Sequence, residues 1–395
     1  MPRTLEGLTV IDLTQNIAGP YCTELMGDFG ATVIKVERPD GGDDVRRYAP
    51  IAHGESASFL AFNRNKRSIC VDVRQPAGQE IVRRFASHAD VFAHSLKPGG
   101  AESFGLDYER LSAANPRLIY CSLTGFGAKG PLRDLPGYDA VAQAYSGAMT
   151  STGHAGDPPA RIAVPLVDMG TGMWLFIGVL AALIERSQSG RGGKVDTSLL
   201  EVAVTWNTLQ LANFMANGRL PEKSGSASPV LAPYQAFKSA DGNVFIAAGN
   251  DRLFVKLCAM LGREDLPENP RYATNAARVT NREELREILD GETITQPSAY
   301  WIGKIREFGI PGGPINSVDR LLDDEQVAAL GMLKPAKDFR VPGFRMIDIP
   351  LNLNDAKADL REMPPRLGEH TDDVMRWAGY SGDEIAQLRS TRIIA

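Results

Sequence analysis

The stretch LTVIDLTQNIAGPYCTELMGDFGATVIKVE (residues 8–37) predicts a strand, a helix and a second strand in succession. LTVIDL (8–13) and TVIKVE (32–37) are short apolar runs of the kind typical of buried strands. The segment between them, GPYCTELMGDFG (19–30), predicts a helix, because proline suits its first turn and glycine suits its end. This order indicates two parallel strands joined by a crossover helix.

The same alternation continues along the first 125 residues. Further strands are predicted at 68–73, 90–96 and 117–123, and further helices at 77–89 and 107–114. We therefore expect an α/β fold with a parallel sheet and helices on its faces. Ligands of such sheets usually bind at the carboxyl ends of the strands.

The length of 395 residues suggests two domains, and the composition changes near residue 220. The region 140–220 has a mostly helical pattern and is followed by a Gly-, Ser- and Pro-rich segment typical of a linker. Beyond it we predict a hairpin at 234–249 and helices at 252–262 and 281–290. PGGP (311–314) predicts a further break. The predicted domains are a large domain at 1–220, a small α+β domain at 225–325, and a C-terminal part at 326–395 that returns to the large domain.

Composition restricts the class of protein. Hydrophobic residues make up 43% and charged residues 23%, as in ordinary soluble domains. A net charge of −5 gives no electrostatic argument for nucleic acid or an anionic membrane as a partner. The four cysteines are widely spaced and form no CxxC pair, so the sequence predicts neither a zinc site nor a disulfide framework. The five histidines have no metal-ligand spacing, and no G-x-S-x-G elbow is present.

Targeting signals are also missing from the pattern. The segment MPRTLEGLTVIDL lacks the apolar stretch of a signal peptide. The most apolar run, MWLFIGVLAALI (173–184), has 12 residues, which is too short to span a bilayer and favours a buried helix. We expect a cytoplasmic protein.

A lone acid stands out in VPLVDMGTGMWLF (164–176), where Asp168 follows one apolar run and precedes another. An Asp near a helix start is commonly an N-cap, which contributes about 1 kcal/mol. Alternatively, Asp168 is a nucleophile between a strand end and a helix start. The following glycines would then leave room for a ligand, and backbone N–H groups would stabilise an oxyanion. The local pattern leaves both interpretations open.

Two basic clusters are candidate phosphate sites. In ERPDGGDDVRR (37–47), Arg38, Arg46 and Arg47 could hold phosphates, or could pair with the acids of the same loop. NRNKRS (63–68) offers the same alternatives. The first βα loop, TQNIAGP (14–20), lacks G-x-G-x-x-G and so carries no nicotinamide or flavin fingerprint. It is either a backbone-lined ligand loop or a plain connection.

Seven blocks spread over nearly the whole chain resemble, in order, the signature blocks of family III CoA-transferases. This group includes formyl-CoA transferase, carnitine CoA-transferase and the α-methylacyl-CoA racemases. The blocks are LEGLTVIDLTQNIAGPYCTELMGDFGATVIKVERP, NRNKRSICVDV, PRLIYCSLTGFGAKGP, VPLVDMGTG, ERSQSGRGGKVDTSLLE, GIPGGPINSV and PRLGEHTDDV.

The resemblance implies an interlocked homodimer, in which a Rossmann-like large domain is built from both chain ends. It also implies that Asp168 attacks an acyl-CoA thioester and forms an aspartyl anhydride and then an aspartyl-CoA thioester. The partners would be an acyl-CoA and a small carboxylic acid. CoA thioester is a substrate in this scheme, so no permanently bound cofactor and no metal is expected.

The resemblance further implies site residues. Tyr138 and Gln15 are expected near the acyl carbonyl, and the CoA contacts are expected at Ile17, Ala18, Arg38, Val71, Arg74, Ser95, Leu96 and Lys97. The chain departs from the family where His94-Ser95-Leu96-Lys97-Pro98-Gly99 replaces Glu-Asn-Phe-x-Pro-Gly and where Ser103 replaces an arginine. AAGND (247–251) stands in place of the glycine-rich lid of formyl-CoA transferase.

Three functions remain to be separated. The racemases have a histidine base in a Gly-His-Asp segment, where this chain has Gly137-Tyr138-Asp139. Tyrosine, with a usual pKa of about 10, is a poor base, which favours a transferase. The third possibility is a non-catalytic CoA-binding protein. For a transferase, dicarboxylates such as succinate, glutarate or itaconate are expected, with Arg47 and Arg161 as candidates for a second carboxylate.

Overall fold

The computed structural model describes residues 3–336 and 340–395, which divide into two compact units. The first unit contains Met1–Ala148, Arg161–Ala212 and Glu325–Ala395. The second contains Met149–Ala160 and Asn213–Asp324. The first unit is thus built from both ends of the chain. The segment 149–160, which the sequence placed in the large domain, packs with the second unit.

The strands are numbered in chain order. They are β1 (Thr9–Leu13), β2 (Thr32–Glu37), β3 (Ile51–Ala52), β4 (Glu55–Ser56), β5 (Lys66–Cys70), β6 (Val91–His94), β7 (Ile119–Thr124), β8 (Lys194–Ser198), β9 (Tyr234–Ser239), β10 (Gly242–Ala247), β11 (Gly312–Pro314), β12 (Leu333–Pro335) and β13 (Arg345–Ile347).

The helices are numbered in the same way. They are α1 (Ala18–Asp28), α2 (Ala57–Ala61), α3 (Pro76–His88), α4 (Gly100–Phe104), α5 (Tyr108–Ala114), α6 (Asp139–Tyr145), α7 (Ala148–Ser151), α8 (Leu166–Ser189), α9 (Leu199–Trp206), α10 (Thr208–Asn217), α11 (Asp251–Leu261), α12 (Asp265–Glu268), α13 (Asn275–Thr280), α14 (Arg282–Thr293), α15 (Ser298–Phe308), α16 (Val318–Leu321), α17 (Glu325–Ala329), α18 (Thr371–Trp377) and α19 (Gly382–Ser390).

A parallel six-stranded sheet forms the centre of the first unit, in the order β5-β2-β1-β6-β7-β8. This is the order of a doubly wound nucleotide-binding sheet, which starts in the middle and grows outward on both sides. The order reverses between β1 and β6. The loops that follow these two strands therefore diverge and leave a crevice at the carboxyl edge, where ligands of such sheets bind.

Helices cover both faces of this sheet. Because successive side chains of a strand point to opposite faces, Val10 and Ile11 of β1 belong to different cores. On one face α1 and α8 pack, with Met26 and Leu175 fully buried. On the other face α3 and α5 pack together with the C-terminal helices α18 and α19, which contribute Met375. The βαβ pattern predicted from the sequence is confirmed.

The second unit has a three-stranded antiparallel sheet in the order β11-β10-β9, covered by α11, α14 and α15. The hairpin expected at 234–249 is formed by β9 and β10. The expected break at PGGP (311–314) is wrong, because β11 occupies Gly312–Pro314 and pairs with β10. Gly312 suits this position, since a Cβ there would lie 2.5 Å from the Phe245 carbonyl oxygen.

Two further differences concern the 140–220 region. It is mostly helical, as predicted, but β8 (Lys194–Ser198), which was not predicted, completes the six-stranded sheet. Polar residues fill β8 because it is an edge strand and half exposed. In addition, the 12-residue apolar run lies inside α8, which has 24 residues and is long and apolar enough to cross a bilayer. The apolar helix is therefore twice as long as the run of 12 residues suggested, and one of its faces is buried against α1.

Candidate active site

A cavity of about 390 Å³ opens at the carboxyl edge of the sheet, where the strand order reverses. Its walls come from the loops after β1, β6 and β7, from the segment 134–138, and from the first turns of α8 and α9. Asp168 and Leu199 are the contributions of these two helices. Elements that are distant in sequence thus meet at the edge where a doubly wound sheet binds its ligand.

Asp168 lies inside the first turn of α8 and does not cap it. The helix begins at Leu166, and Pro165 holds the N-cap position without a side-chain hydrogen bond. Residues 161–165, directly before the helix, do not form a strand, so the prediction of a strand end before Asp168 is wrong. Asp168 is the third residue of the helix, and the N–H groups of Val167 and Asp168 in this first turn donate to the Asp139 carboxylate. The N-cap interpretation is therefore wrong.

Asp139, the first residue of α6, caps α8 instead. One of its carboxylate oxygens accepts the backbone N–H groups of Val167 at 2.9 Å and of Asp168 at 3.1 Å. The other accepts the Gln143 amide at 2.6 Å. Gln143 in turn accepts the N–H of Ile162 at 2.8 Å. This buried network fixes the first turn of α8 and leaves the Asp168 carboxylate free.

The Asp168 carboxylate faces the cavity without a hydrogen-bond donor from any described residue. Burial and, to a smaller extent, the nearby charge of Asp139 together raise its pKa from 3.8 to about 7. A carboxylate that lacks hydrogen bonds and is partly desolvated is more basic and more nucleophilic than one in water. The site can therefore present an activated carboxylate to an electrophile in the cavity.

The glycines after Asp168 serve helix packing, not ligand access. A Cβ on Gly172 would lie 2.5 Å from the carbonyl oxygen of Ala18, and one on Gly170 would lie 2.7 Å from the Trp206 indole nitrogen. Both glycines are buried in α8. The expectation that they leave room for CoA is wrong. Gly172 lets α1 approach α8 at backbone distance, and Gly170 accommodates the Trp206 indole of α9.

Most of the basic residues proposed for phosphates are committed to internal ion pairs. Arg46 binds both oxygens of the buried Glu37 at 2.7 Å. Arg64 pairs with Asp28 at 2.6 Å, and both side chains are buried. Lys66 pairs with the fully buried Asp12 of β1 at 3.1 Å. Arg64 and Lys66 of the cluster at 63–68 are therefore structural, and the sequence could not reveal this because these partners lie 36 and 54 residues away.

The structure brings together most of the residues proposed from the resemblance. Those that line the cavity are Gln15, Ala18, Ser95, Leu96, Lys97, Tyr138 and Asp168. Ile17 is the N-cap of α1 beside them. The Gln15 N–H donates to the Ser95 hydroxyl at 2.9 Å, which joins the loops after β1 and β6. Tyr138 is 61% exposed at the cavity wall and is free to meet a ligand.

Other proposed residues lie outside this cavity. Arg38 and Arg74 both approach the carboxylate of Asp40, at 3.7 and 3.6 Å. Val71 is buried and its N–H donates to the Glu37 carbonyl, so neither its side chain nor its N–H is available to a ligand. Arg161 is exposed and does not line the cavity.

Arg47 is exposed as well and pairs with Asp44 at 3.1 Å. Sequence reasoning missed Asp139 as a functional residue, although it follows Tyr138 directly. Asp134 is a second acid in the cavity wall, but it is exposed and pairs with Arg133. The only signal for Asp139 was its place at the start of a helical pattern after Gly137-Tyr138.

A cavity with a free carboxylate at the switch point of a doubly wound sheet is the arrangement of an α/β protein that binds its ligand at this edge. The sequence model described as CoA-transferase family III matches residues 5–371. The chain belongs to this family and is a CoA-transferase.

Similar proteins agree with the family. The chain is 39% identical over 381 residues to a succinate–glutarate CoA-transferase of Agrobacterium fabrum, covering 94% of each chain. It is 36% identical over 397 residues to a human succinyl-CoA:glutarate CoA-transferase, covering 99% of this chain and 90% of the other. The crystal structure of a CAIB/BAIF family protein from Brucella suis matches with a TM-score of 0.87 and 38% identity, covering 96% of this chain and 100% of that one.

Proposed function

We propose that this CoA-transferase moves CoA from a dicarboxylyl-CoA such as succinyl-CoA to a second dicarboxylic acid such as glutarate, with Asp168 as the covalent carrier. The observation that carries this proposal is the free, partly buried carboxylate of Asp168 in the wall of the cavity. The names of the relatives in Agrobacterium fabrum and in humans support the choice of acids.

In the first half-reaction, the Asp168 carboxylate attacks the thioester carbonyl and expels CoA thiolate, which forms a mixed anhydride. The thiolate then attacks the aspartyl carbonyl, releases the first acid and leaves an aspartyl-CoA thioester. In the second half-reaction, the incoming carboxylate attacks this thioester and forms a second anhydride with release of thiolate. The thiolate finally attacks the new acyl carbonyl, which yields the new acyl-CoA and restores Asp168. The acyl-activation energy is kept at each step.

The cavity supplies groups for these steps. Tyr138 is placed to donate a hydrogen bond to the oxygen that becomes negative, a contact that strengthens as charge develops. Gln15, from the loop after β1, is a second donor in the same wall. Lys97 is the one cationic residue among those that line the cavity in the described chain, and it suits an anionic group of the substrate. Positioning by these groups compensates for the modest nucleophilicity of a carboxylate.

The decisive experiment is to trap the aspartyl intermediate. The protein is incubated with succinyl-CoA and hydroxylamine and then digested, and the peptide masses are measured by mass spectrometry. Hydroxylamine converts an activated aspartyl carbonyl to a hydroxamate, so we expect a substrate-dependent hydroxamate on Asp168. Without succinyl-CoA the peptide should stay unmodified.

Asp134 is an internal control for this experiment, because it lines the same cavity and is exposed. A hydroxamate on Asp134 as well as on Asp168 would indicate non-specific acylation. An unmodified Asp168 with succinyl-CoA and with several other acyl-CoA thioesters would refute the covalent mechanism. A non-catalytic CoA-binding protein would give this negative result and no turnover.

The racemase alternative lacks the histidine base that would act together with the aspartate. None of its lining residues in the described chain is a histidine, and Tyr138 occupies the position of the racemase histidine. Tyr138 is exposed at the cavity wall, and a phenol hydroxyl is suited to donating a hydrogen bond to a carbonyl oxygen. Rapid exchange of deuterium next to the thioester, without acyl transfer, would favour the racemase.

We propose further that the chain forms a homodimer, in the interlocked arrangement that the family resemblance implies. Large apolar side chains on α8 are exposed in the single chain, with Trp174 at 46%, Ile177 at 49% and Ile184 at 63%. Trp206 and Leu209 on the following helices are exposed at 45% and 66%. Contiguous apolar surface of this kind marks interaction sites in soluble proteins.

Sedimentation equilibrium tests the homodimer directly. We expect twice the mass of one chain at micromolar concentration, because the exposed face of α8 would be buried between copies. Ile184→Glu should weaken the dimer, because an unpaired charge in an apolar interface costs several kcal/mol. Glu185→Lys, next in the sequence and already charged, is the matched control. A monomeric wild-type protein would contradict the proposal.

A further inference from the structure

A buried ion pair lies behind the cavity wall. Lys35 of β2 and Asp43, in the loop that follows β2, approach to 2.9 Å, and their side chains are 0% and 1% exposed. Neither residue lines the cavity. A buried ion pair is generally no more stabilising than apolar residues of the same size, so stability of the fold is a weak reason for its presence.

The remaining contacts of the pair point to the loop after β1. The second Asp43 oxygen accepts the N–H of Asn16 at 3.1 Å and that of Val45 at 3.2 Å. The Lys35 ammonium also donates to the Thr14 carbonyl at 3.0 Å. The pair therefore holds both ends of the tripeptide Thr14-Gln15-Asn16. The middle residue, Gln15, is held separately through its N–H by the Ser95 hydroxyl.

The tripeptide needs such support, because its backbone is strained. Asn16 has φ of 65°, in the left-handed region that residues other than glycine rarely adopt. A strained conformation persists only where its surroundings determine it. Gln15 and Asn16 both line the cavity that also contains Asp168.

We infer that the Lys35–Asp43 ion pair is a positioning device for CoA transfer, which holds residues 14–16 in the conformation that presents Gln15 and Asn16 to the substrate. Asp43 also accepts the N–H of Val45, so the same carboxylate fixes the segment after Arg38. The buried Asp43 carboxylate thus sets the position of the loop after β1 relative to the loop after β2. The inference rests on the proposed use of the cavity for the thioester.

Lys35→Met tests the inference, because methionine fills the space without the charge or the hydrogen bonds. We expect kcat/KM for succinyl-CoA to fall by about 10- to 100-fold, mainly through KM, since small misplacements of site groups have effects of this size. We also expect faster amide hydrogen exchange at residues 14–17, measured by mass spectrometry on the free protein. The exchange measurement does not depend on activity.

Arg186→Met is the matched control. Arg186 in the last turn of α8 is 6% exposed and pairs with Asp90 at 3.0 Å, at the opposite edge of the same sheet. Losing this pair should lower the thermal unfolding midpoint as Lys35→Met does. It should leave kcat/KM within about twofold of the wild type and exchange at residues 14–17 unchanged.

Lys35→Met/Asp43→Asn covers the case in which the single variant does not fold. This double variant removes both charges, and the introduced amide oxygen can still accept the Asn16 N–H. We therefore expect a folded protein whose KM lies between that of the wild type and that of Lys35→Met. Either of two results in a folded variant overturns the positioning role. One is unchanged amide hydrogen exchange at residues 14–17. The other is faster amide exchange with unchanged kcat/KM. If the wild type transfers no acyl group, the proposed function fails, and calorimetric affinity for CoA replaces kcat/KM as the test of the pair.

Discussion

Asp168→Asn should reduce CoA transfer by about 10⁴-fold or more, because loss of a covalent nucleophile removes the pathway itself and not one contact. Asparagine has nearly the same shape, and the Asp168 carboxylate makes no hydrogen bond with the described residues that the change could break. The fold and the affinity for CoA should therefore persist. Steady-state transfer from succinyl-CoA to glutarate and calorimetric binding of CoA are the two measurements.

Asp134→Asn is the matched control for this loss. Asp134 lines the same cavity but is exposed and pairs with Arg133 at 3.3 Å. We expect its rate of transfer to stay within a factor of a few of the wild type. Equal losses in both variants would mean that the negative charge of the cavity matters and that Asp168 has no special role.

The pH dependence should carry the signature of the same residue. Only ionised Asp168 can attack, so kcat/KM should rise with pH through its raised pKa of about 7. Asp139→Asn removes a negative charge that contributes to this shift, so the midpoint of the rise should move to lower pH. A midpoint near the ordinary carboxyl value of about 4 in the wild type would contradict the buried environment of Asp168.

Stability should respond to pH in the opposite direction. The pKa of Asp168 is 3.8 when the chain is unfolded and about 7 when it is folded, so the folded state holds the extra proton between these values. Stability therefore falls as pH rises through this window. Asp168→Asn cannot ionise, so it should be more stable than the wild type above about pH 7, by roughly 4 kcal/mol, and nearly equal to it near pH 4. Thermal unfolding of both proteins at the two pH values measures this difference.

Gly172→Ala should have the largest effect on folding. The added methyl would lie 2.5 Å from the Ala18 carbonyl oxygen and 3.1 Å from the Cys22 nitrogen, both backbone atoms of α1. Helix α1 or α8 must then move, which costs about 1–3 kcal/mol or more. Because α1 starts at the cavity, activity should fall as well. Thermal unfolding, followed by circular dichroism, provides the measurement.

Gly303→Ala is the control of opposite sign. Gly303 lies within α15, and a Cβ there would meet nothing within 4 Å. Alanine in an exposed helix interior is favoured over glycine by about 1 kcal/mol, so this variant should be slightly more stable than the wild type. If Gly172→Ala were as stable as Gly303→Ala, the close contact between α1 and α8 would not exist.

The sequence by itself determined the local elements of the first unit. β2 was predicted at its observed bounds, and β1, α1 and α3 within two residues at either end. These predictions rest on the period of apolar residues and on turn-forming glycine and proline, which are short-range properties of the chain. The blocks that resemble family III CoA-transferases likewise pointed to Asp168, and the family is confirmed.

Only the tertiary structure decided which side chains are free to act. Asp168 is unbonded because Asp139, 29 residues earlier, caps its helix. Arg64 and Lys66 are unavailable to phosphates because acids of α1 and β1 neutralise them inside the fold. β8 was missed because an edge strand needs few apolar residues. In each case the deciding partner is remote in sequence: local pattern governs backbone conformation, whereas pairing, burial and the pKa of a group depend on what the fold places around it.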